Sequence, residues 1–335
     1  MSAVLDLATA LAAPPAASGW QVLDHDRHDP AAAARWDAFV RRARNGLFLF
    51  ERGYMDYHAE RFDDASLLLL RNGEVRAALP AHRSGDTLVS HGGLTFGGLL
   101  LHEAGGLDET LDAFDALTAA LRARGLRRLR TKPVPHALHR LPAEDELFAL
   151  HRAGARCVRM EAATTIDLAR RPPLAKGRRH ALAKARRAGL QVERSDDLAG
   201  YWQLLSGVLA ARHGAAPTHR LDEIVALAAR FPEDIALHVA RRPDGTAPLA
   251  GALTYRYPGA LHTQYLACGD EGREHGALDA VIAHLIDAAA PTQRWLSFGS
   301  STLDGGRGFN AGLVAQKEMF GGRTTVMPTY EIDLD

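Results

Sequence analysis

Residues 234–301 constrain the fold of this chain more than any other stretch. Ile235–Ala240 and Leu249–Tyr257 are apolar runs split by the turn Arg242-Pro243-Asp244-Gly245, and Ala260–Cys268 follows a second turn, Pro258-Gly259. Apolar runs divided by such turns predict an antiparallel meander. The third strand runs into Gly269-Asp270-Glu271-Gly272-Arg273-Glu274-His275-Gly276, after which Ala277–Ala289 carries Leu278, Val281, Ile282, Leu285 and Ile286 at helical spacing. Arg294–Gly299 supplies the next strand. A strand thus feeds a glycine-rich loop that opens a helix. Free backbone N–H groups and the positive end of the helix dipole meet there, which suits the point to a pyrophosphate or a developing oxyanion.

The same order of elements occurs earlier. Ser66–Leu70, the turn Asn72-Gly73, Val75–Pro80, the turn Ser84-Gly85-Asp86 and Thr87–Ser90 read as a second meander. It leads into Gly92-Gly93-Leu94-Thr95-Phe96-Gly97-Gly98, a helix over Leu107–Arg124 and a strand over Leu126–Thr131. We read this as an internal duplication; two unrelated α+β lobes are the alternative. Ahead of it, Trp20–Leu23 reads as a strand and Pro30–Arg44 as a helix capped by Asp29. The aromatic segment Phe48, Phe50, Tyr54, Tyr57 and Phe62 either lines a pocket or packs a helix on a sheet.

A chain of 335 residues with 47% apolar content can bury more than one core, so two lobes are expected. Residues 1–17 are expected to form a frayed tail, 18–160 the first lobe and 161–335 the second. The 40 basic and 40 acidic residues cancel, which argues against a global field for nucleic acid or an anionic membrane. Two distant cysteines, Cys157 and Cys268, exclude a disulfide framework and fit a reducing cytoplasm.

Charge is nevertheless uneven. Residues 172–189 form a basic helix with Lys176, Arg178, Arg179, His180, Lys184, Arg186 and Arg187. It is either a solvated face or a cationic rim beside a phosphate-bearing ligand. Leu198–His213 and Leu221–Phe231 read as amphipathic helices, the second capped by Thr218. None of the 16 histidines stands in a His-x-x-x-His spacing and no Cys-x-x-Cys occurs, so no metal is expected. Neither a Gly-x-Ser-x-Gly elbow nor a phosphate loop ending in Gly-Lys-Ser/Thr is present. His262-Thr263-Gln264-Tyr265 places polar groups where a buried strand is apolar, a departure expected of a functional site; equally, His262 or Gln264 satisfies buried backbone groups. Lys317, one turn before Gly321-Gly322, either caps a helix end or points back into a cleft.

These segments resemble the GNAT acyltransferase superfamily, with Arg273-Glu274-His275-Gly276-Ala277-Leu278 in the place of its pyrophosphate loop and Leu278 where the family has a small residue. The tandem arrangement, Ser90-His91-Gly92-Gly93-Leu94-Thr95-Phe96-Gly97-Gly98, His262-Thr263-Gln264-Tyr265, Phe298-Gly299 and Lys317-x-x-Phe320-Gly321-Gly322 resemble more specifically its Fem-type (FemAB-like) branch, over roughly residues 18 to 335. Gln316 stands where that branch has a Phe before the lysine. The resemblance implies an α+β fold of two tandem GNAT-like lobes, each a mainly antiparallel mixed sheet flanked by helices. It implies an N-acyltransferase that moves an acyl group from an acyl-CoA such as acetyl-CoA to an amine of a small-molecule or sugar acceptor. A charged tRNA is the alternative donor, and a non-catalytic ligand-binding pair of lobes the third reading.

Direct attack of an amine on a thioester or ester carbonyl needs aligned reactants, a base, and donors at the developing oxyanion. His91, His219 and His262 are alternative bases, with Gln264 and Tyr265 as further catalytic candidates and Lys317 to stabilise charge. Arg273 and Gly276, together with Cys268, Gly272 and Ala277, are expected at the donor. Thr95, Phe96, Ser300 and Asn310 are expected at the substrate. Cys268 as a covalent nucleophile lacks an adjoining activating pattern.

Overall fold

The computed structural model describes residues 19–245 and 247–335. The tail expected over residues 1–17 lies outside the described residues. The three strands of the main meander pair antiparallel in sequence order, as Ile235–Arg241, Ala250–Arg256 and Ala260–Cys268. They form one arm of an 11-stranded sheet. Past them come Trp295–Ser300, Arg156–Asp167, Arg323–Asp333, Arg128–Thr131, Thr87–Val89, His82–Ser84 and Asp63–Asp64, while Gln191–Ser195 closes the near edge. The last strand, Arg323–Asp333, pairs antiparallel with Arg156–Asp167 on one side and Arg128–Thr131 on the other, so the ladder runs unbroken from one half of the chain to the other. The expected division at 160/161 falls inside Arg156–Asp167.

The duplication is visible in two matching parallel crossovers. Thr87–Val89 pairs in parallel with Arg128–Thr131 around the helix Leu107–Ala123, and Ala260–His262 pairs in parallel with Trp295–Ser297 around the helix Ala277–Ala289. Parallel neighbours require such a crossover. The halves then diverge. Leu67–Arg71 and Glu74–Leu79 join Trp20–Asp24 and Leu100–Leu101 in a separate 4-stranded sheet, so the earlier meander is split between two sheets at Pro80, which has no N–H to continue a ladder.

The aromatic segment mainly packs a core, although Phe48 also borders a cavity of about 290 Å³. Trp36, Phe48, Phe50 and Tyr54 share one buried core with Tyr201, Trp202, Tyr255 and Tyr257, and the Phe48 ring lies 5.2 Å from both Phe231 and Tyr255. Two local expectations are corrected. The glycine-rich segment after Cys268 is not an open loop: Asp270–His275 forms a short helix that Gly276 ends in the left-handed region. The helix Leu221–Arg230 is capped by Glu223, whose carboxylate accepts from the Arg220 N–H at 2.8 Å, and not by Thr218. The basic run folds as the helix Lys176–Arg187, beginning after Pro172-Pro173. Among the described residues no helix is long and apolar enough to cross a membrane.

Candidate functional site

The sheet opens at one place. Parallel pairing of Ala260–Cys268 with Trp295–Ser300 stops after His262↔Ser297, while on its other side the second strand stays paired with Arg156–Asp167 and shifts register between Ser297 and Ser300, around Gly299, whose φ is +68°. On its other side the first strand also slips. Leu253 faces Tyr265 and Thr254 faces Thr263, so Gln264 is the extra residue of a β-bulge. Bulge and split coincide, leaving residues 263–268 without a ladder partner on the open side and their backbone groups within reach of a ligand.

A cavity of about 610 Å³ adjoins this edge. Leu266 and Cys268 of the strand, Arg273 and Gly276 of the short helix, Arg178, His180 and Lys184 of the basic helix, Arg212, and Gly312 and Gln316 of the helix Ala311–Glu318 line it. Arg178, Lys184, Arg212 and Arg273 outnumber Glu274 and Asp279 along its wall, so the charge there is net positive, with some of it already engaged. Arg178 donates to Asp279 at 2.7 Å, and Arg273 pairs with Asp270 while donating to the Cys268 carbonyl at 2.6 Å. Burial pushes the Asp279 carboxyl up although Arg178 opposes the shift. Lys184 is exposed at the mouth.

The glycines here serve close packing. A Cβ on Gly276, at φ +71°, would lie 2.5 Å from the Ala181 carbonyl oxygen, so the basic helix seats directly on this residue. A Cβ on Gly272 would lie 2.3 Å from the Leu249 carbonyl. Ala277 is buried in the core beneath Val281 and Ile282, with no side-chain surface toward the cavity. Burial raises the Cys268 thiol, which keeps it protonated and a poor nucleophile.

The remaining expected residues fall into separate groups. Lys317 is buried and donates to the carbonyls of Gly299 and Ser300 and to Ser301 Oγ, so it points back onto the bent strand rather than capping its own helix. Burial lowers its pKa to about 8. His262 lies close by, its Nδ1 3.0 Å from Ser297 Oγ and its ring against Phe96 and Tyr257. Burial, and then the Lys317 charge, lower it to about 4. Ser300 and Asn310 are exposed; Asn310 caps the helix Ala311–Glu318 by accepting from the Leu313 N–H. Thr95 is exposed and Phe96 buried.

His219 and Tyr265 are brought together, with Nδ1 2.7 Å from the Tyr265 hydroxyl. Tyr54 reaches the other ring nitrogen at 3.3 Å from the first half of the chain, and Tyr57 stacks on the ring at 5.4 Å between centroids. His91 stands apart, among His58, His82 and Phe62, where burial and His58 lower it to about 3. Tyr54, Arg212 and Gln316 escaped sequence reasoning as members of these groups, because each becomes a neighbour only through a contact distant in sequence. Among the described residues no three His, Cys, Asp or Glu side chains are placed to hold a metal ion.

Residues 170–305 match the family described as Acetyltransferase (GNAT) domain. No curated protein matches the chain. Several solved structures share its fold at low identity. FemX superposes with a TM-score of 0.65 at 13% identity, covering 93% of this chain and 97% of its own. L-PGS from Bacillus licheniformis gives 0.60 at 13%, with 92% of each chain covered. A tandem GNAT protein from the clavulanic acid biosynthesis pathway gives 0.53 at 13%, covering 94% and 99%. Residues 170–305 thus carry a GNAT acetyltransferase domain, and the chain over its length has the tandem-GNAT, Fem-like fold.

Proposed function

We propose that the chain is an N-acyltransferase that takes an acyl group from an acyl-CoA and passes it to an amine of a small-molecule or sugar acceptor. The supporting observation is the coincidence of bulge, split strand and cationic cavity at residues 263–276. A thioester reaching from that cavity into the split meets the open edge of residues 265–268, where alternate backbone N–H groups face away from the paired strand and can polarise its carbonyl. Lys184, Arg212 and Arg273 face the donor phosphates as point or fork charges. Residues 161–335 hold the donor, and the acceptor meets it at the seam with residues 18–160. Lys317 acts behind the site, holding the bend at Gly299 that keeps the strands apart. The tandem GNAT relative, described in its form without AcCoA, accords with this donor.

An aminoacyl-tRNA donor is the second reading, favoured by Lys176, Arg179 and Arg187, which extend the exposed positive charge of the basic helix beyond the cavity wall. Calorimetric titration with acetyl-CoA and with charged tRNA separates the two. Binding of acetyl-CoA, with product formed from an amine panel, is expected. Binding of charged tRNA with no response to any CoA thioester overturns the first reading in favour of the second.

A further inference from the structure

The three histidines that could serve as base are not equally placed. His262 is enclosed by Phe96, Tyr257 and the Gly299 backbone, and His91 by His58, His82 and Phe62. His219 is also buried, yet it is hydrogen-bonded to Tyr265, which is half-buried and follows the bulge residue Gln264. His262 stands at the split itself but is enclosed, whereas His219 reaches the open strand through a half-buried tyrosine.

The His219 backbone N–H lies 3.3 Å from the Tyr265 oxygen and donates to it, Thr218 bonds the same oxygen, and we assign the Tyr265 hydroxyl proton to the bond with Nδ1 at 2.7 Å. Nδ1 is then the acceptor, so Nε2 carries the ring proton and donates to Tyr54 Oη at 3.3 Å. The Tyr54 hydroxyl in turn donates to Tyr255 Oη at 3.1 Å. Tyr54 is buried in the core shared by both halves, with Phe48, Tyr57 and Phe231 around its ring.

We infer that the Tyr265–His219 pair takes the proton of the acceptor amine, and that Tyr54, from the other half of the chain, is the positioning residue that keeps the His219 ring proton on Nε2. The inference rests on the acyl-transfer reading. In the step, the nitrogen lone pair of a neutral amine forms the C–N bond and the thioester π electrons move onto oxygen. The proton lost from nitrogen passes to Tyr265 Oη as the Tyr265 hydroxyl proton passes to His219 Nδ1. Collapse re-forms C=O and breaks the C–S bond, and the thiolate recovers a proton from the imidazolium, giving amide and thiol. A ring proton on Nδ1 would block the transfer, since that nitrogen would then donate to Tyr265.

Tyr54→Phe removes one hydroxyl and keeps the ring packing. With the full chain labelled by ¹⁵N-histidine, long-range ¹H–¹⁵N correlation reads the His219 tautomer without reference to turnover. The expected result is Nε2–H in the native chain and a shift toward Nδ1–H in Tyr54→Phe, with kcat reduced at least 10-fold and KM for acyl-CoA within about 2-fold; Tyr265→Phe is expected to lose about 100-fold in kcat. An unchanged tautomer in Tyr54→Phe, or a changed tautomer with native kcat, overturns the inference. Absence of transfer from any acyl-CoA by the native chain refutes the donor reading instead, and the tautomer spectra then decide the role of Tyr54 alone.

Discussion

The Lys317 ammonium sits 2.6 Å from Ser301 Oγ and donates as well to the carbonyls of Gly299 and Ser300, fastening the last helix to the bend in the strand Trp295–Ser300. Its partners are neutral, so a buried cation here is held by hydrogen bonds alone. Lys317→Met strands three acceptors and is expected to cost roughly 2–4 kcal/mol, read by urea unfolding at pH 7. The pH dependence follows from the lowered pKa of about 8 against an ordinary 10.5. Above pH 8 the folded chain sheds this proton while the unfolded chain keeps it, so stability from this group rises with pH toward 10.5. The deficit of the variant should therefore be larger at pH 9.5 than at pH 7.

Glu146 presents the opposite sign. It is buried, accepts from Thr131 Oγ1 at 2.9 Å, and burial raises its carboxyl to about 7 from 4.5. Between those values the folded chain holds a proton that the unfolded chain has lost, so stability falls as pH rises through this window. Glu146→Gln removes the ionisation. Its melting temperature should exceed that of the native chain at pH 8, with the advantage disappearing below pH 4.5.

The two thiols should differ in reactivity. Cys157 is exposed, whereas Cys268 is buried with a raised pKa and has its Sγ against the Gly269 carbonyl at 3.6 Å. Peptide mapping after iodoacetamide at pH 7.5 should find Cys157 modified and Cys268 spared. Cys268→Ser is expected to keep acyl transfer within about 3-fold, because direct attack needs no thiolate; loss of all turnover would point to a covalent intermediate.

Gly276→Ala tests the seat of the basic helix. The residue holds φ at +71°, and a Cβ would meet the Ala181 carbonyl oxygen at 2.5 Å. A left-handed alanine costs about 1–2 kcal/mol before the clash is counted. Displacing the helix Lys176–Arg187 moves Arg178 and Lys184 from the cavity wall. A lower melting temperature together with weaker acetyl-CoA binding by calorimetry is expected.

Much of this protein was legible in the sequence because its determinants are local. Turns at Pro258-Gly259 and Arg242–Gly245 set the meander, the spacing of Val281, Ile282, Leu285 and Ile286 set the helix after Gly276, and Asp29 capped the first helix. Tertiary structure decided the rest. A bulge at Gln264 depends on the register against Leu253, the bend at Gly299 is fastened by Lys317, and the fate of each histidine depends on which rings surround it. Cavity, charge pairing and proton position all arise from side chains that meet across long chain separations, such as Tyr54 with His219 and Arg178 with Asp279. Hydrophobic periodicity and turn chemistry specify which elements form; which polar groups they bring within hydrogen-bond distance of one another is fixed only when the two halves pack.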